Sequence, residues 1–338
     1  MADDAPNACE TLLDRLICRL PMRFWVLSRN PSLYSTSRIV LAARARGHEV
    51  TVVDPLDFQV VVARRKPQLY LGGVQASRPD VVIPRIGASI TTYGLAVVRQ
   101  LDMMGVPVLN AAVAIARSRD KLRALQLLTR KNIDVPLTVC ARSPAGLDKA
   151  LELVGGCPVI VKLQQGTQGI GTMIAETPQA VGSLLETLWA MGQDIILQEY
   201  IRESKGRDIR AIVVGGKVVA AMRRTAKAGE FRSNLHRGGL GMSVTLDRRY
   251  RSAALAATRV MGLEVAGVDM LEGRNGPKIL EINSSPGLEG IERASGIDVA
   301  TAIVAHAEKY AERNRKIGKK ALDERIAAAI EHERVRRS

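Results

Sequence analysis

The stretch Val268–Asn283, VDMLEGRNGPKILEIN, reads as two short strands folded about a turn centred near Asn275. If the strands pair about that centre, Asp269 stands opposite Glu281, and Asn283, two residues on, faces the same side as Glu281. Directly opposed side chains lie ~4.5–5.5 Å apart at Cβ, and like charges there destabilise the pair. Two carboxylates and an amide oxygen on one face therefore call for a cation. Hard oxygen donors without His or Cys suit Mg²⁺, completed by water and phosphate oxygens. A register shifted by one residue would turn Asp269 away and remove the site.

Outward from this hairpin, Val159–Leu163 and Thr172–Ala175 read as strands flanking a glycine-rich loop, Gln164-Gln165-Gly166-Thr167-Gln168-Gly169-Ile170-Gly171. Gly166, Gly169 and Gly171 leave backbone N–H groups free to approach an anion. Lys162 sits in the apolar strand VIVKL just before the loop, and its burial calls for an anionic partner. A further polar loop, Phe231–Gly239, brings together Arg232, Ser233, Asn234 and Arg237, an inventory suited to clamping carboxylate or phosphate. A lone His236 in that loop reads as a hydrogen-bonding residue.

The remaining elements alternate. Phe24–Ser28, Glu49–Asp54, Val81–Pro84 and Val106–Leu109 read as strands, and Leu33–Arg46 and Thr91–Met104 as helices, the first ending at Gly47. That alternation predicts a small parallel α/β domain over roughly 22–115. Ala111–Asn132 is helical, with a joint near Asp120 and Lys121. Thr177–Met191 and Asp247–Met261 are helices, Ile195–Tyr200 a strand, and Ile209–Val214 with Lys217–Ala221 a hairpin over Gly215-Gly216. A last helix runs from about Asp298 into a charged tail. The second part is thus an α+β unit built on antiparallel hairpins.

The chain has 338 residues, 46% hydrophobic and 25% charged, which excludes disordered and collagen-like chains. No run approaches the ~18 uncharged apolar residues of a membrane span. Aromatic residues are only 3%, too few for a base-stacking platform. With 49 Lys and Arg against 34 Asp and Glu, the net charge is +15, a field that favours anionic partners. Residues 311–338 carry +4 and residues 1–20 carry −2, leaving +13 on 21–310, so the charge belongs mainly to the body. Cys9, Cys18, Cys140 and Cys157 form no CxxC pair, and no secretory signal opens the chain, so a reducing cytoplasm is expected. GxSxG, HExxH and a GxxxxGK[ST] loop are all missing. What remains is chemistry by anion and metal positioning, the profile of phosphoryl transfer from a nucleotide.

The order Asp120-Lys121, VIVKL, GTQGIG, LQEY, DIR, FRSNLHRGG, GVD and LEINSSPGLEGIE resembles the ATP-grasp superfamily, and within it the RimK family of glutamate ligases. LSRNPSLYS, DPL, PRIG and AIARSRDKLRALQLL resemble the same family, so that the likeness covers about 22–310. It implies an α/β pre-ATP-grasp domain over 22–117 and an α+β ATP-grasp domain over 118–310, two subdomains clasping ATP. Residues 1–21 then read as an N-terminal extension and 311–338 as a basic tail.

The resemblance further implies that Lys162 and, more loosely, Lys121 contact ATP phosphate, with Gly166, Gly169 and Gly171 in the covering loop. Glu199 and Tyr200 would line the adenine pocket. Asp208 would bind the ribose with Arg210 nearby, and Arg232, Ser233 and Asn234 would meet the triphosphate or an acyl phosphate. Arg210, Arg232 and Asn234 are the implied catalytic residues. Asp269, Glu281 and Asn283 would hold two Mg²⁺, with Mn²⁺ as an alternative. The implied partners are L-glutamate and the acidic C-terminal tail of a ribosomal small-subunit protein, number six, with no membrane, no required nucleic acid and a homotetramer. The competing acceptors are a carrier protein, a deazaflavin coenzyme and free glutamate. A nucleic-acid-binding regulator that kept the fold without the chemistry is the competing class.

Overall fold

The computed structural model describes residues 21–64, 66–143, 146–164, 171–227, 230, 233 and 238–315. Its first strand, β1 (Arg23–Leu27), is an apolar run with Phe24, Trp25, Val26 and Leu27 all buried. A strand buried on both faces suits the centre of a parallel sheet. It lies between β2 (Glu49–Val53) and β6 (Val81–Pro84), parallel to both, with Phe24 opposite Val50 and Val81. Helix α1 (Tyr34–Ala45) buries Ile39, Val40 and Ala43. Gly47, in the left-handed region at φ +84°, turns the chain back into β2.

Between β2 and β6 lies a small antiparallel sheet that the sequence reading did not anticipate: β3 (Phe58–Val61), β4 (Gln68–Leu71) and β5 (Val74–Gln75). Its strands are too short to show a period, yet Phe58 and Leu69 are buried against α2 (Thr91–Met103) and its neighbours. Val106–Leu109 is not a full strand: it makes only a bridge, Val108 to Val82. Helices α3 (Ala112–Arg119) and α4 (Lys121–Arg130) meet at the expected joint. There the Asp120 carboxylate accepts from Arg123 N at 3.0 Å, capping the second helix.

Two antiparallel sheets follow. The four-stranded one has the order β7 (Thr138–Ala141), β10 (Ile195–Glu199), β8 (Val159–Leu163), β9 (Thr172–Ala175), backed by α5 (Leu147–Leu153) and α6 (Pro178–Ala190). The five-stranded one has the order β13 (Leu240–Ser243), β12 (Lys217–Thr225), β11 (Arg207–Val214), β14 (Val265–Gly273), β15 (Gly276–Asn283). Helix α7 (Arg248–Met261) covers one face, capped by Asp247 and stopped by Gly262 at φ +75°. Short helix α8 (Glu289–Ser295) and helix α9 (299–315) complete the described chain.

Gly273 pairs with Gly276 across a two-residue turn, and Met270 still pairs with Ile279. Continued unchanged, that register would set Asp269 against Leu280. An irregularity after Met270 bulges Leu280 out of the ladder and brings Asp269 opposite Glu281. The expected pairing is therefore met by a tighter turn and one bulge, not by a turn centred on Asn275.

Helix α9 ties the molecule together. Val299, Ala300, Ile303, Val304, Ala307 and Ala311 are buried against Phe24, Val26, Ile39 and Val40 on one side and Ile212, Val214, Met222 and Val265 on the other. Residues 311–315, counted as the start of the charged tail, continue this helix: Ala311 is fully buried and Arg315 reaches Asp80 at 2.5 Å. The four-stranded sheet keeps its own core, Val159, Val161, Leu185, Ile195 and Leu197 among others. No helix among the described residues is long and apolar enough to cross a membrane.

Candidate active site

A cleft open to solvent, about 1360 Å³ in extent, lies between the two antiparallel sheets. One wall comes from β8, β9 and β10 (Ile160, Lys162, Thr172, Ile196, Gln198, Glu199). The other comes from β11, β12, β14 and β15 (Asp208, Arg224, Asp269, Leu271, Glu281). Ser118, Lys121 and Leu125 also line the cleft.

Lys162 faces the cleft because alternation along β8 buries Val159 and Val161 on the other side. Its Nζ donates to Gln198 Oε1 at 2.6 Å, and Gln198 Nε2 donates to Thr138 Oγ1 at 2.9 Å. Burial lowers the Lys162 pKa to about 8; Glu281 acts against that shift and Lys121 adds to it. Lys121, at the start of α4, donates to the carbonyls of Gln164 at 3.1 Å and Leu163 at 3.4 Å. Burial lowers its pKa too, again against Glu281. Two ammonium groups thus face one carboxylate across a half-buried space, an arrangement that favours a polyanion.

Gly171 follows the glycine-rich loop at φ +74°, where an added Cβ would fall 2.7 Å from Leu163 Cδ1, so only glycine fits. Gly166, Gly169, Arg232 and Asn234 lie outside the described residues. Ser233 lines the cleft, as do Glu199 and Tyr200. Glu199 Oε2 accepts from Leu137 N at 3.1 Å, which holds the carboxylate in place.

The carboxylate hairpin carries a charge ladder across the sheet. Arg210 on β11 pairs in register with Asp269 on β14, and Asp269 with Glu281 on β15. Arg210 Nε and Nη2 grip Asp269 Oδ1 and Oδ2 at 2.7 and 2.6 Å. Arg224, in register with Asp208, binds that carboxylate through both Nε and Nη2 and reaches Asp269 Oδ2 at 2.9 Å. Burial pushes the Asp269 pKa up, but Arg210 and Arg224 outweigh it and hold the carboxyl below its usual range. For Asp208, 3% exposed, burial outweighs Arg224 and raises the pKa. The residue expected at the ribose is thus held in an internal ion pair.

The donor set fits Mg²⁺. Asp269 and Glu281 stand directly opposed, Asn283 lies on the same face of β15, and all three offer hard oxygen. Glu281 is exposed, and no Lys or Arg lies within 4 Å of it among the described residues. Asp269 is already charge-balanced by its arginines, so Glu281 is the freer ligand. No group of three or more His, Cys, Asp or Glu suited to a metal occurs among the described residues. Remaining coordination positions would fall to water and phosphate, as Mg²⁺ prefers.

Arg224 escaped the sequence reading. Its signal is the alternation Ala220, Met222, Arg224 on one face of β12, a cation at a position otherwise apolar and buried.

Two antiparallel sheets holding a lysine-lined cleft against a carboxylate hairpin define an ATP-grasp enzyme. Comparison with known proteins agrees. Residues 118–307 match the family of RimK-like ATP-grasp domains, and residues 22–115 that of RimK pre-ATP-grasp domains. A probable alpha-L-glutamate ligase of Ectopseudomonas mendocina is 54% identical over 291 residues, 86% of this chain and 97% of that protein. A probable alpha-L-glutamate ligase 1 of Shewanella denitrificans is 52% identical, over 86% and 98%. Among solved structures, the ATP-grasp ligase PsnB, complexed with a phosphomimetic minimal precursor, Mg and ADP, superposes with a TM-score of 0.67 at 22% identity, over 86% and 99% of the two chains. D-alanine–D-alanine ligase from Bacillus anthracis with ATP gives 0.61 at 19%, over 88% and 99%. The chain belongs to the RimK family and is an ATP-dependent ligase.

Proposed function

We propose that this enzyme joins L-glutamate to the acidic C-terminus of ribosomal small-subunit protein six, at the expense of ATP. The observation that carries the reading is the cleft itself, where Lys162 and Lys121 face Glu281 beside the Asp269 carboxylate. The relatives' name supports glutamate as the amino acid added.

The reaction has two steps. An oxygen of the acceptor carboxylate attacks the γ-phosphorus of ATP, the bond to the bridging oxygen breaks, and ADP leaves an acyl phosphate behind. The amine of glutamate then attacks the acyl carbon; phosphate leaves, the nitrogen gives up a proton, and a peptide bond remains. Lys162 and Lys121 bind the phosphates and offset their charge as it shifts to the leaving oxygen. Glu199 and Tyr200 seat the adenine, and the loop carrying Gly166, Gly169 and Gly171 excludes water from the acyl phosphate. Arg210 keeps Asp269 ionised and in place, and Arg232, Ser233 and Asn234 clamp the transferring group. Two Mg²⁺ or Mn²⁺ held by Asp269, Glu281 and Asn283 would supply charge neutralisation at the phosphates. The +15 net charge attracts an acidic tail that gains charge with each addition, an attraction that fades over a Debye length of ~8–10 Å in salt.

Incubating the enzyme with ATP, MgCl₂, glutamate and purified small-subunit proteins, followed by intact-mass spectrometry, tests this. A ladder of glutamate increments on one acidic-tailed protein is expected. ADP release without a ladder would discard the acceptor, and no ADP would discard the reaction.

A further inference from the structure

The described cleft leaves a pair of arginines without a role. Arg85 is the first residue beyond β6, and Arg119 is the last of α3. Among the described residues neither guanidinium has a carboxylate within 4 Å, and the hydrogen bonds seen for them go to neutral carbonyls. Arg85 Nη2 donates to Pro286 O at 2.7 Å, and Arg119 Nη2 donates to Ile86 O. The two cations repel one another: burial, with Arg119 adding to it, lowers the Arg85 pKa to about 10. Arg119 is likewise lowered by burial, with Glu281 opposing. A desolvated charge without a counterion is destabilising, and two together more so.

Their position in the fold is as telling as their charge. In the parallel sheet, β1 lies between β2 and β6, so the chain leaves it in opposite directions. In such sheets ligands gather in the crevice outside the carboxyl ends of the strands at that reversal. Arg85 stands at that crevice, its N–H bonded to Leu27 O at the end of β1. Arg29, on the β1 side, already has Asp54 at 3.8 Å. Across the crevice runs the segment that leaves β15: Ser285 Oγ donates to Pro84 O at 3.3 Å, and Pro286 meets Arg85. The pair therefore lies between the parallel sheet and the strand that carries Glu281 and Asn283. Arg119 is flanked in sequence by Ser118 and, two residues on, Lys121, both of which line the cleft. From the cleft to the crevice the charges run Lys162, Lys121, Glu281, Arg119, Arg85.

We propose that Arg85 and Arg119 form a subsite for a substrate carboxylate, beyond the phosphate end of the nucleotide cleft. The inference rests on the ligase reading above, in which both the incoming amino acid and the acceptor end carry one. A forked guanidinium suits a carboxylate's two oxygens, which would replace solvent around the pair and cancel its repulsion.

The test uses the full chain carrying Arg119→Gln, Arg119→Lys or Arg85→Lys, with KM measured separately for ATP, L-glutamate and an acidic acceptor peptide. In Arg119→Gln the KM of one carboxylate substrate should rise about tenfold or more, while that for ATP stays within about twofold. A rise for glutamate assigns the subsite to the amino acid, a rise for the peptide to the acceptor end. Replacing a non-reacting carboxylate of that substrate by its amide (the α-carboxylate of glutamate, or the side-chain carboxylate next to the reacting end of the peptide) should slow the wild type by a similar factor and leave Arg119→Gln nearly indifferent, a loss of discrimination that a purely structural arginine would not produce. Arg119→Lys, which keeps charge but not the fork, should fall between and serves for the same comparison if the glutamine variant does not fold. Unchanged KM values, intact discrimination, or a rise for ATP alone would overturn the subsite. A wild-type enzyme that transfers no glutamate would instead overturn the ligase reading.

Discussion

Lys162, proposed above to bind phosphate, is a buried charge that the fold carries at a loss, and Lys162→Met should expose it. The ammonium, in a half-buried wall, donates to a neutral acceptor, Gln198 Oε1, at 2.6 Å, and its pKa falls from an ordinary 10.5 to about 8. At ~1.4 kcal/mol per pH unit, the charged form costs the nucleotide-free protein about 3 kcal/mol. Methionine keeps the stem's packing but leaves Gln198 Oε1 without its donor, which returns about 1 kcal/mol. The variant should therefore be about 2 kcal/mol more stable than wild type at pH 7 and bind ATP far more weakly. The pH dependence has a definite sign. Below pH 8 the lysine is charged in both folded and unfolded chains, and the penalty is fully present. Between about pH 8 and 10.5 the folded state releases its proton while the unfolded chain keeps it, so wild-type stability gains and the gap to the variant closes. Other lysines titrate there too, so the difference between the two proteins is the quantity to follow. Urea denaturation by circular dichroism from pH 6 to 10, without nucleotide, measures it. A variant less stable than wild type at pH 7, or a gap that does not change with pH, would refute the reasoning.

Glu281→Gln should leave folding stability within about 0.5 kcal/mol, since the side chain is exposed with no Lys or Arg inside 4 Å among the described residues, yet lower ATP turnover about 100-fold or more; wild-type turnover would remove Glu281 from the metal set. Asp269→Asn should lose both activity and about 3 kcal/mol of stability, because it strips the buried Arg224 and the half-buried Arg210 of a shared counterion. Gly267→Ala puts a Cβ 2.7 Å from Pro286 Cβ and should destabilise by about 1–3 kcal/mol in thermal denaturation, whereas an unshifted melting curve would show that Pro286 yields. Glu308 is raised by burial but pulled below its usual range by Arg46 and His48. Glu308→Gln should accordingly lose about 1 kcal/mol at pH 7, a difference that disappears as pH falls through the depressed pKa.

The elements most legible in the sequence were those whose geometry is set locally. The opposition of Asp269 and Glu281 follows from alternation and a short turn, although the route to it, a tight turn plus a bulge at Leu280, does not. Lys162 announced itself as a charge in an apolar strand. The Asp120 joint was visible because a helix cap is a matter of three residues. What stayed hidden depends on distant parts of the chain. Arg85 meets Pro286 across 201 positions, and Asn110 binds Val265 and Ser284 across 155 and 174. Arg224 could be placed on a buried face by counting twos, but its second partner, Asp269, depends on how β11 and β14 pair. The sheet of β3, β4 and β5 was hidden for another reason, since strands of two to four residues have no period to detect.

Helix α9 has a consequence for how the chain is made. Its residues Val299, Ala300, Ile303, Val304 and Ala307 cover apolar side chains of β1 and α1, which leave the ribosome more than 250 residues earlier. The sheet containing β1 therefore emerges before its cover and waits, one face exposed, until α9 has been made. During translation that face is available to chaperones and to other nascent chains. The four-stranded sheet, whose core draws only on residues between 139 and 197, can close while synthesis continues. Order of synthesis and order of completion thus run opposite ways in this protein, and its amino-terminal domain is among the last parts to be finished.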